Sequence, residues 1–454
     1  MFQKILIANR GEIAVTIIRA CREMGIRSVA VCSEADRTAL HAQLADECIC
    51  IGPAAAGASY LNAQALLTAC LVSGAEAIHP GFGFLSENAA FARMCEKCGL
   101  VFIGPTETII SRMGDKASAR QTAAEAGVPV IPGTEGVLDS VTDALRAASQ
   151  IGYPVMIKAA AGGGGRGMRL AWSADELPAA WQTARAEAQA CFGDYRVYLE
   201  RFVQNPRHIE IQLLADQNGR VIHLGDRDCS IQRRHQKMLE EAVSPFSDDA
   251  LRREMGDAAV RLARAVDYRG VGTVEFLVDA DRHFYFMEMN TRIQVEHPVT
   301  EAVTGVNLVQ EQIKAAAGLP LELKQTDIRF TGHAMECRIN AEDPAHGFRP
   351  CPGQVESLHL PGGPGVRVDS ALYQGYVIPP DYDSLIAKLI VHAPTRDQAI
   401  ARMRRALMEF LISGVETNID YHLAILRDPE FLSGRYDIGY LGRKNDQLQQ
   451  QLHA

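Results

Sequence analysis

The sequence predicts an α/β protein in three parts: an N-terminal doubly wound parallel sheet, a central region of strand pairs around a glycine loop, and a C-terminal mixed α+β domain. Three observations carry this. Short apolar runs alternate with helical periodicity up to about residue 113, which implies strands joined by helices. From about 114 to 330, strand pairs surround the stretch "AAAGGGG". Beyond about 330, strands linked by Pro/Gly-rich loops precede one helix, with a polar, frayed tail over 447–454.

Size and composition agree. A chain of 454 residues exceeds one ordinary core. With 47% hydrophobic and 22% charged residues it has a globular composition, and its net charge of −9 disfavours nucleic acid or an anionic membrane as the main partner. No apolar run approaches the ~18–20 residues that span a bilayer. "MFQKILIANRGE" reads as a buried first strand, not a secretory signal. The 11 cysteines, an odd number scattered through the elements, fit a reducing cytoplasm. Cys95 and Cys98 form a CxxC, open between a metal or redox pair and a helix end with apolar thiols.

In order, "KILIAN" is a strand and "RGEIAVTIIRACREMG" sets Ile13, Ile17, Cys21 and Met24 on one helical face, ended by Gly25. "RSVAVCS", "ECICIG", "AEAIHPG" and "LVFIGP" supply further strands. "NRGEIA" lacks GxGxxG spacing, so no dinucleotide site is expected there. "HPGFGFLSEN" is a glycine-rich turn, open between binding and structural roles. "GDKASARQTAAEAG" is a helix with Lys116 near its start. "PVMIKAAAGGGGRGMRLA" is strand, loop, strand, with Lys158 closing the first, and a helix follows over about 174–191. "RHIEIQLLAD" alternates Ile209, Ile211 and Leu213 against His208, Glu210 and Gln212. "DDALRREMGDAAVRLARAVDYRG" is a long amphipathic helix. "GTVEFLV" and "HFYFMEMN" then form a hairpin, and a last helix covers about 396–412.

Chemistry enters at that hairpin. On "HFYFMEMNTR", Glu288, Asn290 and Arg292 share a face, and a regular hairpin brings Glu275 opposite Glu288. Two facing carboxylates repel. A Mg²⁺ ion held by both and by the Asn290 carbonyl resolves the conflict; a solvated acidic edge is the alternative. Lys158 beside the glycine loop suits an anion such as ATP phosphate, although a hairpin tip looks similar, and the spacing is not that of a P-loop. Gln232, Arg233, Arg234, His235 and Lys237 form a polar cluster, either an anion site or a surface coat.

"ANRGEIA", "HPGFGFLSEN", "GDK", "GGGGRGMR", "DRDCSIQRRHQK", "EMNTRIQVEHPVTE" and "ECRINAEDP" together resemble the biotin carboxylase family of ATP-grasp enzymes, in the family's order and from residue 1 to about 446. The resemblance implies an N-terminal doubly wound domain (1–113), an ATP-grasp domain (114–330) with a glycine-loop lid over about 131–203, and a C-terminal domain (331–446). It implies ATP- and bicarbonate-dependent carboxylation of biotin through carboxyphosphate. By analogy, ATP would meet Lys116, Lys158, Gly164, Gly165 and His208, with Glu200, Arg201, Phe202 and Val203 as the adenine-reading strand. Gln232, His235 and Lys237 would line the nucleotide and bicarbonate region, and Glu275, Glu288 and Asn290 would hold Mg²⁺ or Mn²⁺. Glu296 would be the general base, while Arg292, Lys237, Gln294 and the Val295 backbone pin the carbonate and Arg338 stabilises the biotin enolate. Relatives commonly carry a more glycine-rich loop than "AAAGGGG" and a lysine where Arg201 stands.

No "MK" dipeptide and no Ala-Met-Lys-Met biotinylation motif occurs. Biotin is therefore expected on a separate biotin carboxyl carrier protein, with separate carboxyltransferase subunits, in a cytoplasmic acetyl-CoA carboxylase, and the resemblance implies a homodimer. Alternatives are the corresponding subunit of a pyruvate, propionyl-CoA or similar carboxylase and, in another class, an ATP-grasp carboxylate–amine ligase.

Overall fold

The computed structural model describes residues 1–134, 136–160 and 168–451, apart from the side chain of Phe192. The chain forms two compact units: Met1–Val128 with Arg207–Val278 and Met287–Ala454, and Pro129–Pro206 with Asp279–Phe286.

In the first unit, β1 (Lys4–Ile7), β2 (Arg27–Ser33), β3 (Glu47–Gly52), β4 (Ala77–His79) and β5 (Val101–Phe102) make a parallel sheet in the order β3-β2-β1-β4-β5. The order reverses direction beside β1, as in a doubly wound fold. The helix Gly11–Glu23 buries the expected Ile13, Ile17 and Cys21. These pack with Ile5, Ile7, Leu214, Val271 and Ile293, so one core joins the parallel sheet to the central strands.

In the second unit, β6 (Val155–Ala159), β7 (Met168–Ala171) and β8 (Val197–Arg201) form an antiparallel sheet ordered β7-β6-β8. The helix Leu177–Phe192 covers it through Leu177, Trp181 and Ala184.

The main sheet has eight strands. It runs β13 (Phe284–Asn290), β12 (Gly270–Val278), β9 (Arg207–Ala215), β10 (Val221–Arg233), β11 (Gln236–Ala242) and β14 (His333–Asn340), then the strands Leu385–Ala393 and Val366–Ser370. All nine residues of β9 are buried, so its "polar" face, His208, Glu210 and Gln212, looks into protein. One irregularity decides what that face meets. His223 pairs with Leu213 but Asp226 pairs with Ile211, so β10 carries one extra residue. The bulge brings Arg227, not Asp226, opposite Glu210. Gly225 sits in it at φ 83°, a region that favours glycine.

The tail differs from expectation. Residues Tyr440–Gln450 are helical, because Tyr440, Leu441 and Leu448 bury one face of that helix in the C-terminal core. The Gln449 amide also donates to the Pro344 carbonyl at 2.9 Å.

The bulge makes a prediction. A Cβ at Gly225 would meet the Phe330 ring at 2.4 Å on a left-handed backbone. Gly225→Ala is expected to lower stability by about 1–3 kcal/mol, read from the denaturation midpoint.

Candidate active site

β12, β9 and β10 place Glu275 opposite Glu210, and Glu210 opposite Arg227. Two carboxylates abreast inside a sheet need cations, and two arrive. Arg227, fully buried, donates Nε to Glu210 Oε1 at 2.5 Å and its other nitrogens to Gln212 (2.6 Å), Thr300 (2.9 Å), Thr273 (3.1 Å) and Gln294 (2.7 Å). Lys237, from β11, donates to Glu210 at 2.5 Å, Glu275 at 2.9 Å and Glu296 at 2.6 Å.

Glu296 holds a second cation. Arg338 on β14 donates Nη2 to Glu296 Oε2 at 2.8 Å and Nε to Glu240 at 2.6 Å. Glu296 stands at the start of the helix His297–Thr304 yet makes no side-chain cap there; its carboxylate points to Lys237 and Arg338 instead. Burial pushes the Glu296 carboxyl up, but Lys237, Arg338 and Arg227 outweigh it and hold it well below the usual range. Glu275 follows the same logic: burial opposes its charge, and Lys237 and His208 hold its pKa well down.

The 291–296 segment completes the cluster. Gln294 Nε2 and Asn290 Nδ2 both donate to Glu275 Oε1, at 2.8 and 3.0 Å, and His208 Nε2 lies 3.0 Å from Glu275 Oε2. Arg292 donates to Glu87 at 2.8 Å and to Asn290 Oδ1 at 3.0 Å. Glu87 lies in the turn "HPGFGFLSEN", so the turn carries the partner of a predicted site residue. Asn9 holds that turn by donating to the Pro80 and Phe82 carbonyls at 2.7 Å each.

Glu288 and Lys116 stand beside this cluster. Burial and then Glu275 raise the pKa of the Glu288 carboxyl, against Lys116. Two carboxylates that disfavour each other's charge, with an amide next to them, are hard oxygen donors of the kind Mg²⁺ takes, so these residues fit the ion. Glu210 on β9 also faces Glu275, and ligand atoms of His208, Glu210 and Glu275 lie within 4.8 Å of one another.

Other predicted residues lie elsewhere. Lys158 donates to Glu200 within the second unit, where Phe202 meets Trp172 edge-on at 6.2 Å; Arg201 is exposed and Val203 half-buried. Gly164 and Gly165 lie outside the described residues. Of the "QRRHQK" cluster, Lys237 enters the acidic group and Gln232 pairs with it in register. Arg233 stacks on Phe348 at 4.0 Å and donates to Gly347, and Arg234 and His235 form the exposed tight turn between β10 and β11, both at positive φ. Cys95 is buried and Cys98 exposed, and among the described residues neither belongs to a group able to hold a metal. Arg227 was missed because a bulge, not a sequence pattern, aims it; the burial-free alternation of β9 was the available signal for Glu210.

The fold and this site define an ATP-dependent ligase built on an ATP-grasp domain. Family models match at three places: "Biotin carboxylase, N-terminal domain" over 1–110, "Carbamoyl-phosphate synthase L chain, ATP binding domain" over 115–324, and "Biotin carboxylase C-terminal domain" over 336–443. Biotin carboxylase 1 of Bacillus subtilis is 56% identical over 442 residues, 97% of this chain and 98% of that one. The biotin carboxylase of a Nostoc species is 57% identical over 444 residues, covering 98% and 99%. Among solved structures, the biotin carboxylase domain of a thermophilic 2-oxoglutarate carboxylase bound to bicarbonate superposes with a TM-score of 0.95 at 48% identity, covering 99% of both chains. The biotin carboxylase subunit of a pyruvate carboxylase gives 0.91 at 49% identity, also covering 99% of both. The chain belongs to the biotin carboxylase family.

Burial is the main cause that pushes the Glu240 carboxyl from the usual 4.5 to about 7, with Arg338 opposing and Glu296 adding. The folded state thus binds this proton more tightly than the unfolded chain. The contribution to stability is fully present below about pH 4.5 and is lost as pH rises to about 7. Glu240→Gln, which keeps an acceptor for Arg338, is expected to flatten the pH dependence of the unfolding midpoint across that window.

Proposed function

We propose that the chain uses ATP to carboxylate biotin carried on a separate biotin carboxyl carrier protein, by way of carboxyphosphate. The observation that carries this reading is the convergence of Lys237 and Arg338 on Glu296, at 2.6 and 2.8 Å. Two half-buried cations around one buried carboxylate form a receptacle for a small anion next to a base.

Bicarbonate entering beside Glu296 would draw Lys237, Arg338 and Arg292 toward itself. Relieved of their charge, Glu296 gains proton affinity and takes the bicarbonate proton. A bicarbonate oxygen then attacks the γ-phosphorus of ATP, the bond to ADP breaks, and carboxyphosphate forms. Holding the two anions in line supplies much of the rate. Carboxyphosphate breaks down to CO₂ and phosphate, the phosphate takes the ureido N–H proton of biotin, and the nitrogen attacks CO₂. Arg338 steadies the enolate-like biotin anion. Lys116, Lys158, His208, Gln232, His235 and residues 200–203, where β8 ends at Arg201, together with Gly164 and Gly165, are the proposed nucleotide contacts, and Gln294 and the Val295 backbone hold bicarbonate. Glu275, Glu288 and Asn290 would hold Mg²⁺, which neutralises nucleotide phosphate charge when bound. A structural relative from Hydrogenobacter thermophilus was solved as a dimer with MgADP and bicarbonate, which supports the same ligands and a homodimer here.

On this reading residues 1–113, 114–330 and 331–446 are the working domains, with 131–203 as the lid. We place the chain in a cytoplasmic acetyl-CoA carboxylase with separate carboxyltransferase subunits. Among the described residues no helix is long and apolar enough to cross a membrane. The acceptor does not touch this chain, so copurifying carboxyltransferase subunits distinguish this assembly from a pyruvate or 2-oxoglutarate carboxylase.

ADP release is expected to require Mg²⁺ and bicarbonate and to rise with free biotin; stimulation by an amine instead would point to a carboxylate–amine ligase. Glu296→Gln should retain ATP binding and lose about 10²–10⁴-fold in turnover, measured by calorimetry and coupled ADP assay.

A further inference from the structure

The segment 291–296 has no regular secondary structure, so its carbonyls need partners from elsewhere. The Gln294 carbonyl accepts from the His297 backbone N–H at 3.3 Å, and two fully buried side chains add their own contacts. His297 Nδ1 lies 2.8 Å from the Gln294 carbonyl oxygen and, as its hydrogen-bond partner, is the donor. Lys388 Nζ donates to the Val295 carbonyl at 2.9 Å. A peptide group is planar, so fixing its carbonyl oxygen also fixes the N–H on its far side. Holding the Gln294 carbonyl aims the Val295 N–H, and holding the Val295 carbonyl aims the Glu296 N–H and the start of its side chain. Together the two contacts set both peptide planes around the Val295 Cα.

Lys388 is an expensive way to hold a carbonyl. It is 0% exposed, on the strand Leu385–Ala393, opposite Arg338 on one side and Asp369 on the other. Its charge is met by Glu12 at 3.1 Å and Asp369 at 3.9 Å, and Phe82 lies 6.0 Å away. Burial opposes that charge, but Glu12 and Asp369 keep the amine protonated. Replacing a buried ion pair by apolar groups of similar volume is often neutral or stabilising. Stability alone does not call for an ammonium here; a donor aimed at Val295 does.

We propose that Lys388 and His297 are positioning residues for bicarbonate: they clamp the backbone on either side of Val295 so that its N–H and the Glu296 carboxylate face the anion. This rests on the functional reading above. Neither residue touches substrate; both act through the segment they hold.

The test uses the full chain, bicarbonate-dependent ATP cleavage with free biotin, and thermal unfolding. Lys388→Met leaves Glu12 unpaired, so the Glu12→Gln/Lys388→Met double variant is made beside it to restore neutrality. The expected result is a double variant with the parent's unfolding midpoint, a KM for ATP unchanged, and kcat/KM for bicarbonate lower by roughly 10- to 100-fold. His297→Phe should show the same split, and His297→Asn, which keeps a donor near the Nδ1 position, should recover much of the loss. A folded double variant with the parent's bicarbonate kinetics, equal changes in both KM values, or no difference between the Phe and Asn variants at 297 overturns the proposal. Absence of bicarbonate-dependent turnover in the parent chain overturns the functional reading as well, so the two failures are distinguishable.

Discussion

The site is organised by one ammonium group. Lys237 donates at once to Glu210, Glu275 and Glu296, which come from β9, β12 and the start of a helix. Without it, three carboxylates would share a buried space with too little opposing charge, and each uncompensated buried charge costs about 3–5 kcal/mol. With it, Glu275 and Glu296 stay ionised although burial pushes the other way. Carboxylates farther from Lys237 behave differently: burial dominates at Glu240 and Glu336, and both are raised.

The fold brings this about through register more than through loops. β12, β9 and β10 align Glu275, Glu210 and Arg227 in one row, and β11 and β14 add Lys237 and Arg338. Rigid strands set these side chains with little freedom, which suits chemistry that depends on placing two anions in line. The segment carrying Arg292, Gln294 and Glu296 is the irregular part, and it is braced from several sides: Glu87 on Arg292, Arg227 on Gln294, and Lys237 and Arg338 on Glu296.

Much of this was legible in the sequence. The parallel sheet followed from apolar runs separated by helical periodicity, and the hairpin bearing Glu275 and Glu288 from period-two alternation on either side of a short turn. Arg227 was not legible, because one extra residue at Gly225 decides which of Asp226 and Arg227 meets Glu210, and alternation cannot register a bulge. Glu87 was hidden for another reason: its contact with Arg292 spans 205 positions and has no local signature. The "QRRHQK" run divides in a way the sequence does not show: Lys237 joins the acidic group, Arg234 and His235 make a tight turn, and Arg233 stacks on Phe348. The helix Tyr440–Gln450 was misread at its end because Tyr440, Leu441 and Leu448 are too few to stand out among glutamines.

The central claim is that this charged cluster presents bicarbonate, as a nucleophile, to the γ-phosphate of ATP. Turnover with heavy-oxygen-labelled bicarbonate, MgATP and free biotin, followed by mass analysis of the released phosphate, tests it most directly. The account predicts one labelled oxygen in the inorganic phosphate for each ATP cleaved, since the bond formed to phosphorus is the bicarbonate oxygen's. Unlabelled phosphate, its fourth oxygen taken from water, would contradict it.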